Sequence, residues 1–162
     1  MTAAEAYDLT TKGGAGDFAR LIEICESSGD YCLIGGLAVN CYVEPVYTLD
    51  ADLVVVGGLL HAVHAHSVNA VAPDSQLRIQ FTIDERYQPF VHRARRAEVL
   101  GVDVRVASLE DVTQGKLWAY GDPKRRLSKR KKDERDLIRL AEAYPQLVAM
   151  YPPDLREQIE RG

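Results

Sequence analysis

The stretch Leu33–Val56, LIGGLAVNCYVEPVYTLDADLVVV, limits what this chain can fold into more than any other. An apolar run closes in Gly35-Gly36, a short amphipathic segment follows, and Thr48-Leu49-Asp50-Ala51-Asp52 enters a second apolar run. Read as a strand over Ala51–Val56, that second run puts Asp50 and Asp52 on one side, because successive side chains alternate faces. Two carboxylates so placed lie roughly 6.5–7 Å apart along the strand. In a cleft they repel one another, and each resists losing its water. A divalent cation relieves both costs. Mg²⁺ (or Mn²⁺) held by one or two carboxylates plus phosphate oxygens is the usual solution. Gly35-Gly36 suits the same ligand, since a turn without Cβ atoms lets a triphosphate approach the backbone.

The length of 162 residues suits one domain, read as a sheet core over about 15–107 and C-terminal helices over 108–162. A formal net charge of −4 gives no global basic signal, so any nucleic-acid contact has to come from a local patch. Cys25, Cys32 and Cys41 contain no CxxC pair and read as buried free thiols of a reducing compartment. The N-terminus lacks the basic-then-apolar layout of a signal peptide, and no apolar stretch is long enough to span a bilayer. The expectation is a cytoplasmic protein with no membrane partner.

Taken in order, Gly13, Gly14 and Gly16 predict a frayed start over residues 1–14. Asp17 then caps a helix carrying Phe18, Leu21, Ile22 and Ile24. Tyr31–Ile34 reads as a buried strand, Gly36–Tyr42 as a brief helix, and Leu53–Val56 as a strand covered on both faces. Leu59–Ala72 predicts a helix, on which His61, His64 and His66 form a solvated face, since no Cys or acid completes a metal set. Gln76–Asp84 alternates, with Leu77, Ile79, Phe81 and Ile83 on the packed face. Tyr87–Arg96 predicts a short helix with Phe90 and Val91 inward, and Val99–Val106 a second alternating strand with Asp103 and Arg105 on its polar face. Ser108 opens a helix to about Tyr120, which Gly121-Asp122-Pro123 ends. A basic linker, Lys124–Lys132, leads to a helix over Asp133–Tyr144, and a shorter helix near Asp154–Ile159 follows. The fold class is α/β (α+β), a small sheet flanked by helices with a helical C-terminal part.

Two charges fall on apolar stripes. Leu109, Val112, Lys116 and Tyr120 share one helix face, as do Asp133, Leu137, Leu140 and Tyr144. Lys116 and Asp133 are therefore expected to point inward from neighbouring helices. One reading is a structural ion pair; the other is that both line the cleft of the carboxylate pair, and the two are compatible.

These residues together resemble a family. Leu33-Ile34-Gly35-Gly36-Leu37-Ala38-Val39, Thr48-x-Asp50-x-Asp52, Lys116-Leu117-Trp118-Ala119 and Arg130-x-x-Asp133-x-x-Asp136-Leu137 resemble, in order, the motifs of the AbiEii-type nucleotidyltransferases. These belong to the superfamily of DNA polymerase beta and include toxin components of bacterial toxin–antitoxin and abortive-infection systems. The resemblance covers roughly residues 20–145. It implies a mixed nucleotidyltransferase-type sheet, with Gly35, Gly36 and Thr48 holding an NTP and Asp50 and Asp52 binding Mg²⁺. Lys116 matches the family's lysine, and Asp133 its late aspartate, with Asp136 as the competing assignment. A third carboxylate is expected on a later strand; Asp103, the only acid on the polar face of a valine-rich strand, is the first choice and Asp84 the second. The implied reaction moves a nucleoside monophosphate from an NTP to an RNA, possibly tRNA, with an antitoxin or a second copy as partner. The alternatives are a protein or small-molecule acceptor such as an antibiotic, or a non-catalytic homologue that binds RNA or a partner. Two departures bear on the choice. Gly36 stands where many transferases have Ser, and Val46 and Leu49 stand where relatives often carry Arg and Lys. Arg78, Arg105 or the basic run, itself a candidate RNA patch, is left to supply the missing charge.

Overall fold

Five strands form one mixed sheet in a computed structural model that describes residues 1–56 and 75–162. The helix expected over Leu59–Ala72, with its three histidines, lies outside the described residues. The strands are β1 (Tyr31–Ile34), β2 (Asp50–Val55), β3 (Arg78–Thr82), β4 (Arg95–Val99) and β5 (Val102–Val106), in the spatial order β3-β2-β1-β5-β4. β1 lies at the centre, antiparallel to β2 and parallel to β5; β2 and β3 are parallel, and β4 and β5 antiparallel. The central position suits the sequence of β1, whose Tyr31, Cys32 and Leu33 are fully buried.

The helices are α1 (Ala3–Thr11), α2 (Gly14–Ser28), α3 (Gly35–Val39), α4 (Gln88–Arg93), α5 (Leu109–Tyr120), α6 (Leu127–Ala143) and α7 (Pro153–Arg161). A single core joins Phe18, Leu21 and Ile22 of α2, the aliphatic residues of β1, β2 and β5, and Leu137, Leu140 and Leu155 of the C-terminal helices. The mixed sheet with its helical C-terminal part is the fold the sequence predicts. Phe90 and Val91 do face inward from α4, and Ser108 does cap α5 by accepting a hydrogen bond from the Asp111 N–H.

Four local expectations fail, each for a physical reason. Residues 1–14 are not frayed. Thr2 and Glu5 form a capping box that starts α1, and Tyr7 anchors that helix in the core. Asp17 is not a cap but a buried residue within α2, paired with Arg20. The strand expected over Val99–Val106 is half of a hairpin. Leu100 and Gly101 both adopt positive φ, at 49° and 81°, and turn the chain between β4 and β5. Finally, residues 127–132 of the basic run are the first turns of α6 and not linker.

Candidate active site

The sheet register builds the site. Asp52 sits opposite Ile34 across the antiparallel β1–β2 pair, and β1 ends in the turn at Gly35. Gly35 has φ +74°, and a Cβ there would lie 2.3 Å from Asp52 Oδ2. Only glycine fits this position, on both conformational and steric grounds. Gly36 is less constrained, since a Cβ would meet Thr48 at 3.5 Å, an ordinary contact. Thr48 receives the Asp50 N–H on its Oγ1 at 3.2 Å, and its carbonyl accepts a hydrogen bond from Tyr7 Oη at 2.8 Å. The loop before it is braced by Asn40, whose side chain both donates to and accepts from the Val46 backbone, at 2.8 and 3.0 Å.

Asp50 and Asp52 share one face of β2 and open into two adjoining cavities of about 230 and 250 Å³. Gly35 lines the first cavity with Gln80, Phe81, Thr82 and Tyr87; Gly36 and Thr48 line the second with Arg78, Lys132, Arg135 and Arg139. Lys116, Arg125 and Lys129 border both. The far wall is an ion-pair network between α5 and α6. Lys116 Nζ lies 3.2 Å from Asp133 and 2.9 Å from Asp136, Arg125 Nε donates to Asp133 at 2.6 Å, and Arg139 pairs with Asp136 at 2.9 Å. Asp133 is 1% exposed. Lys116 and Asp133 thus form a buried ion pair and also line the cleft, so the two readings of their inward placement hold together.

The two β2 carboxylates differ. Asp50 accepts from Arg78 Nε at 2.7 Å on one oxygen and from Lys129 Nζ at 3.0 Å on the other. Burial pushes its carboxyl up, but these two hydrogen bonds outweigh burial and hold it below the usual range. Asp52 is pushed up to about 6, first by burial and then by the charge of Asp50, against weaker pulls from Lys116, Arg125 and Lys129.

Asp103 is not brought to this cleft. It lies three residues before Val106, which pairs with Leu33, so it stands about 10 Å back along the strand from the level of Leu33 and further still from Gly35. Its side chain is 73% exposed and lies 3.6 Å from Arg96. Asp84, the second choice, is exposed beyond the end of β3 and accepts from the Arg86 N–H. Alternation along a strand tells which face a residue occupies but not which end of the sheet it reaches. Of the proposed sources of compensating charge, Arg78 and Lys129 reach Asp50, whereas Arg105 turns to Asp30 and the Val91 carbonyl. Gln80 and Tyr87 line the cavity without having been singled out from sequence. Gln80 follows Arg78 by two residues, the same spacing as Asp50 and Asp52, but the β2–β3 register that sets them side by side is not written in either strand. The cysteines have no part here: burial pushes the thiols of Cys25 and Cys32 up to about 12.

The donor set suits Mg²⁺. Asp52 is a half-buried carboxylate beside another carboxylate, with the Cβ-less turn at Gly35 giving it room, and hard oxygen donors are what this ion takes. Among the described residues no group of three His, Cys, Asp or Glu side chains is placed to hold a metal, so the remaining oxygens would have to come from phosphates and water.

A search of solved structures finds the same architecture elsewhere. The antibiotic-resistance factor ANT(2'')-Ia, an aminoglycoside nucleotidyltransferase, is similar over 91% of this chain and 91% of its own, with a TM-score of 0.57 at 14% identity. The fold is a nucleotidyltransferase fold. An antigenic nucleotidyltransferase-like protein from Paracoccidioides brasiliensis matches over 81% of this chain and 84% of its own, with a TM-score of 0.43 at 19% identity. No protein-family model matches the sequence, and no curated protein does so. Among the described residues no helix is long and apolar enough to cross a membrane.

Proposed function

We propose that the chain is a Mg²⁺-dependent nucleotidyltransferase that moves a nucleoside monophosphate from an NTP to the hydroxyl of an RNA. The observation that carries this reading is the Asp50–Asp52 pair beside the Gly35 turn, facing a cleft walled by Arg78, Lys116, Arg125 and Lys129. In the reaction the acceptor oxygen bonds to the α-phosphorus, and the bond from that phosphorus to the bridging oxygen breaks. Pyrophosphate leaves with the electron pair, and the hydroxyl proton passes to solvent. Asp50 and Asp52 would hold the metal, which when bound offsets charge on the phosphate oxygens. Gly35, Gly36 and Thr48 shape the phosphate side, and Lys116, oriented by Asp133 and Asp136, presents its ammonium there. Arg78, Lys129 and Lys132 supply positive charge that Val46 and Leu49 do not.

Charge supports the RNA acceptor. On the α6 side of the second cavity Lys129, Lys132, Arg135 and Arg139 outnumber Asp136, an excess of positive charge that favours a polyanion. The likeness to an aminoglycoside nucleotidyltransferase supports a small-molecule acceptor as the second reading, but a polycationic antibiotic would meet like charge on this wall. The motif order favours the AbiEii-type toxin group, with an antitoxin or a second copy of the chain as partner in the cytoplasm.

The test is incubation with each labelled NTP, Mg²⁺ and total RNA beside an Asp50→Ala/Asp52→Ala control. Label in RNA that vanishes in the control is the expected result. Label in a protein or a small molecule would replace the acceptor. A folded protein that labels nothing and binds no Mg-NTP would be a non-catalytic homologue.

A further inference from the structure

We infer that this cleft holds one divalent cation and not two, because the strand facing the carboxylate pair presents an arginine and an amide where a third acid would be needed. The inference rests on the nucleotide-transfer reading above. The parallel β2–β3 register sets Asp50 beside Arg78 and Asp52 beside Gln80. Such neighbours share a face at a strand spacing of about 4.8 Å. Gln80 lines the same cavity as Asp52, so its amide stands in the position from which a carboxylate could join Asp52 around an ion.

Two divalent ions at about 3.5–4 Å from each other need several anionic ligands between them. Among the described residues two face the cleft without being committed to the far wall, Asp50 and Asp52. Asp133 and Asp136 are committed to Lys116, Arg125 and Arg139, and Asp84 and Asp103 lie outside the cleft. Asp50 already carries a cation on each oxygen. A single ion can share its coordination between these carboxylates and the triphosphate, whereas a second finds no further carboxylate among the described cleft residues to hold it. Arg78 and Lys129, fixed on Asp50, supply the positive charge that a second ion would otherwise bring. Gln80 is then a positioning residue: its Oε1 can accept a hydrogen bond from the acceptor hydroxyl but cannot take the proton, which leaves to solvent.

Mn²⁺ titration followed by electron paramagnetic resonance, with each α,β-methylene nucleoside triphosphate in turn, tests this on the whole chain. The expected stoichiometry is one Mn²⁺ per wild-type chain, rising to two in Gln80→Glu with the line broadening of a coupled pair. Gln80→Asp is the second variant should Gln80→Glu lose its native circular dichroism. Two coupled ions in the wild type would overturn the inference and leave nucleotide transfer standing. No ion with any nucleotide would overturn that reading and the inference with it. One ion in both folded acidic variants would show that Gln80 does not set the number.

Discussion

The sheet carries a cluster of acids and bases at each of its two ends, and the clusters behave differently. At the far end Arg96 joins Glu26 and Asp103 on the surface, and the half-buried Arg105 joins the exposed Asp30. In the cleft Asp133 and Asp136 are buried against Lys116, Arg125 and Arg139, while among the described residues no cation is hydrogen-bonded to Asp52. The residue types are the same. What differs is water: at the far end solvent screens each charge, so pairing is a convenience, whereas in the cleft each charge depends on its neighbours. The cleft cluster cannot fall back on solvent when a partner is removed.

Removing one acid from each end is the sharpest way to break this contrast. Asp133→Ala strands Arg125 and half of the Lys116 pairing in a buried wall and should cost roughly 3–5 kcal/mol. Asp103→Ala should cost about 0–1 kcal/mol. Urea unfolding of the two variants checks the difference, and equal losses would erase the distinction. A second effect concerns pH. The folded carboxyl of Asp52 is raised from the ordinary 3.8 to about 6, so between those values the native state holds the proton that the unfolded chain has released. Stability contributed by this group therefore falls as pH rises from about 4 to about 6, by up to about 3 kcal/mol. Asp52→Asn should remove that loss, read as the difference between the stability–pH curves of variant and wild type. The smallest effect separates the two glycines. Gly35→Ala, forced into a left-handed backbone and against Asp52, should cost about 1–3 kcal/mol and weaken Mn²⁺ binding. Gly36→Ala should be close to neutral in thermal unfolding.

The framework of the cleft was open to reading because its signals are local. Gly35-Gly36, the two-residue spacing of Asp50 and Asp52, and the charges of Lys116 and Asp133 on apolar helix stripes each depend on a few neighbouring residues. What stayed hidden depends on pairing between distant segments. That Arg78 and Gln80 adjoin the carboxylates follows from the β2–β3 register, which no single strand encodes. Lys129 reaches Asp50 because α6 begins at Leu127, whereas a run of like charges reads as solvated linker. Asp103 occupies the polar face of β5 at the end of the sheet away from Gly35, and only the β1–β5 pairing reveals which end that is. Thr2 and Glu5 stand at capping-box spacing, a local signal that the glycines at 13, 14 and 16 conceal.

The hydroxyl of Tyr7 closes on the carbonyl of Thr48, forty-one positions further along the chain. The opening helix is therefore a clasp on the loop that delivers Asp50 and Asp52. Whatever grips or crowds the first dozen residues, an affinity tag or a bound protein alike, pulls on the lip of the cleft.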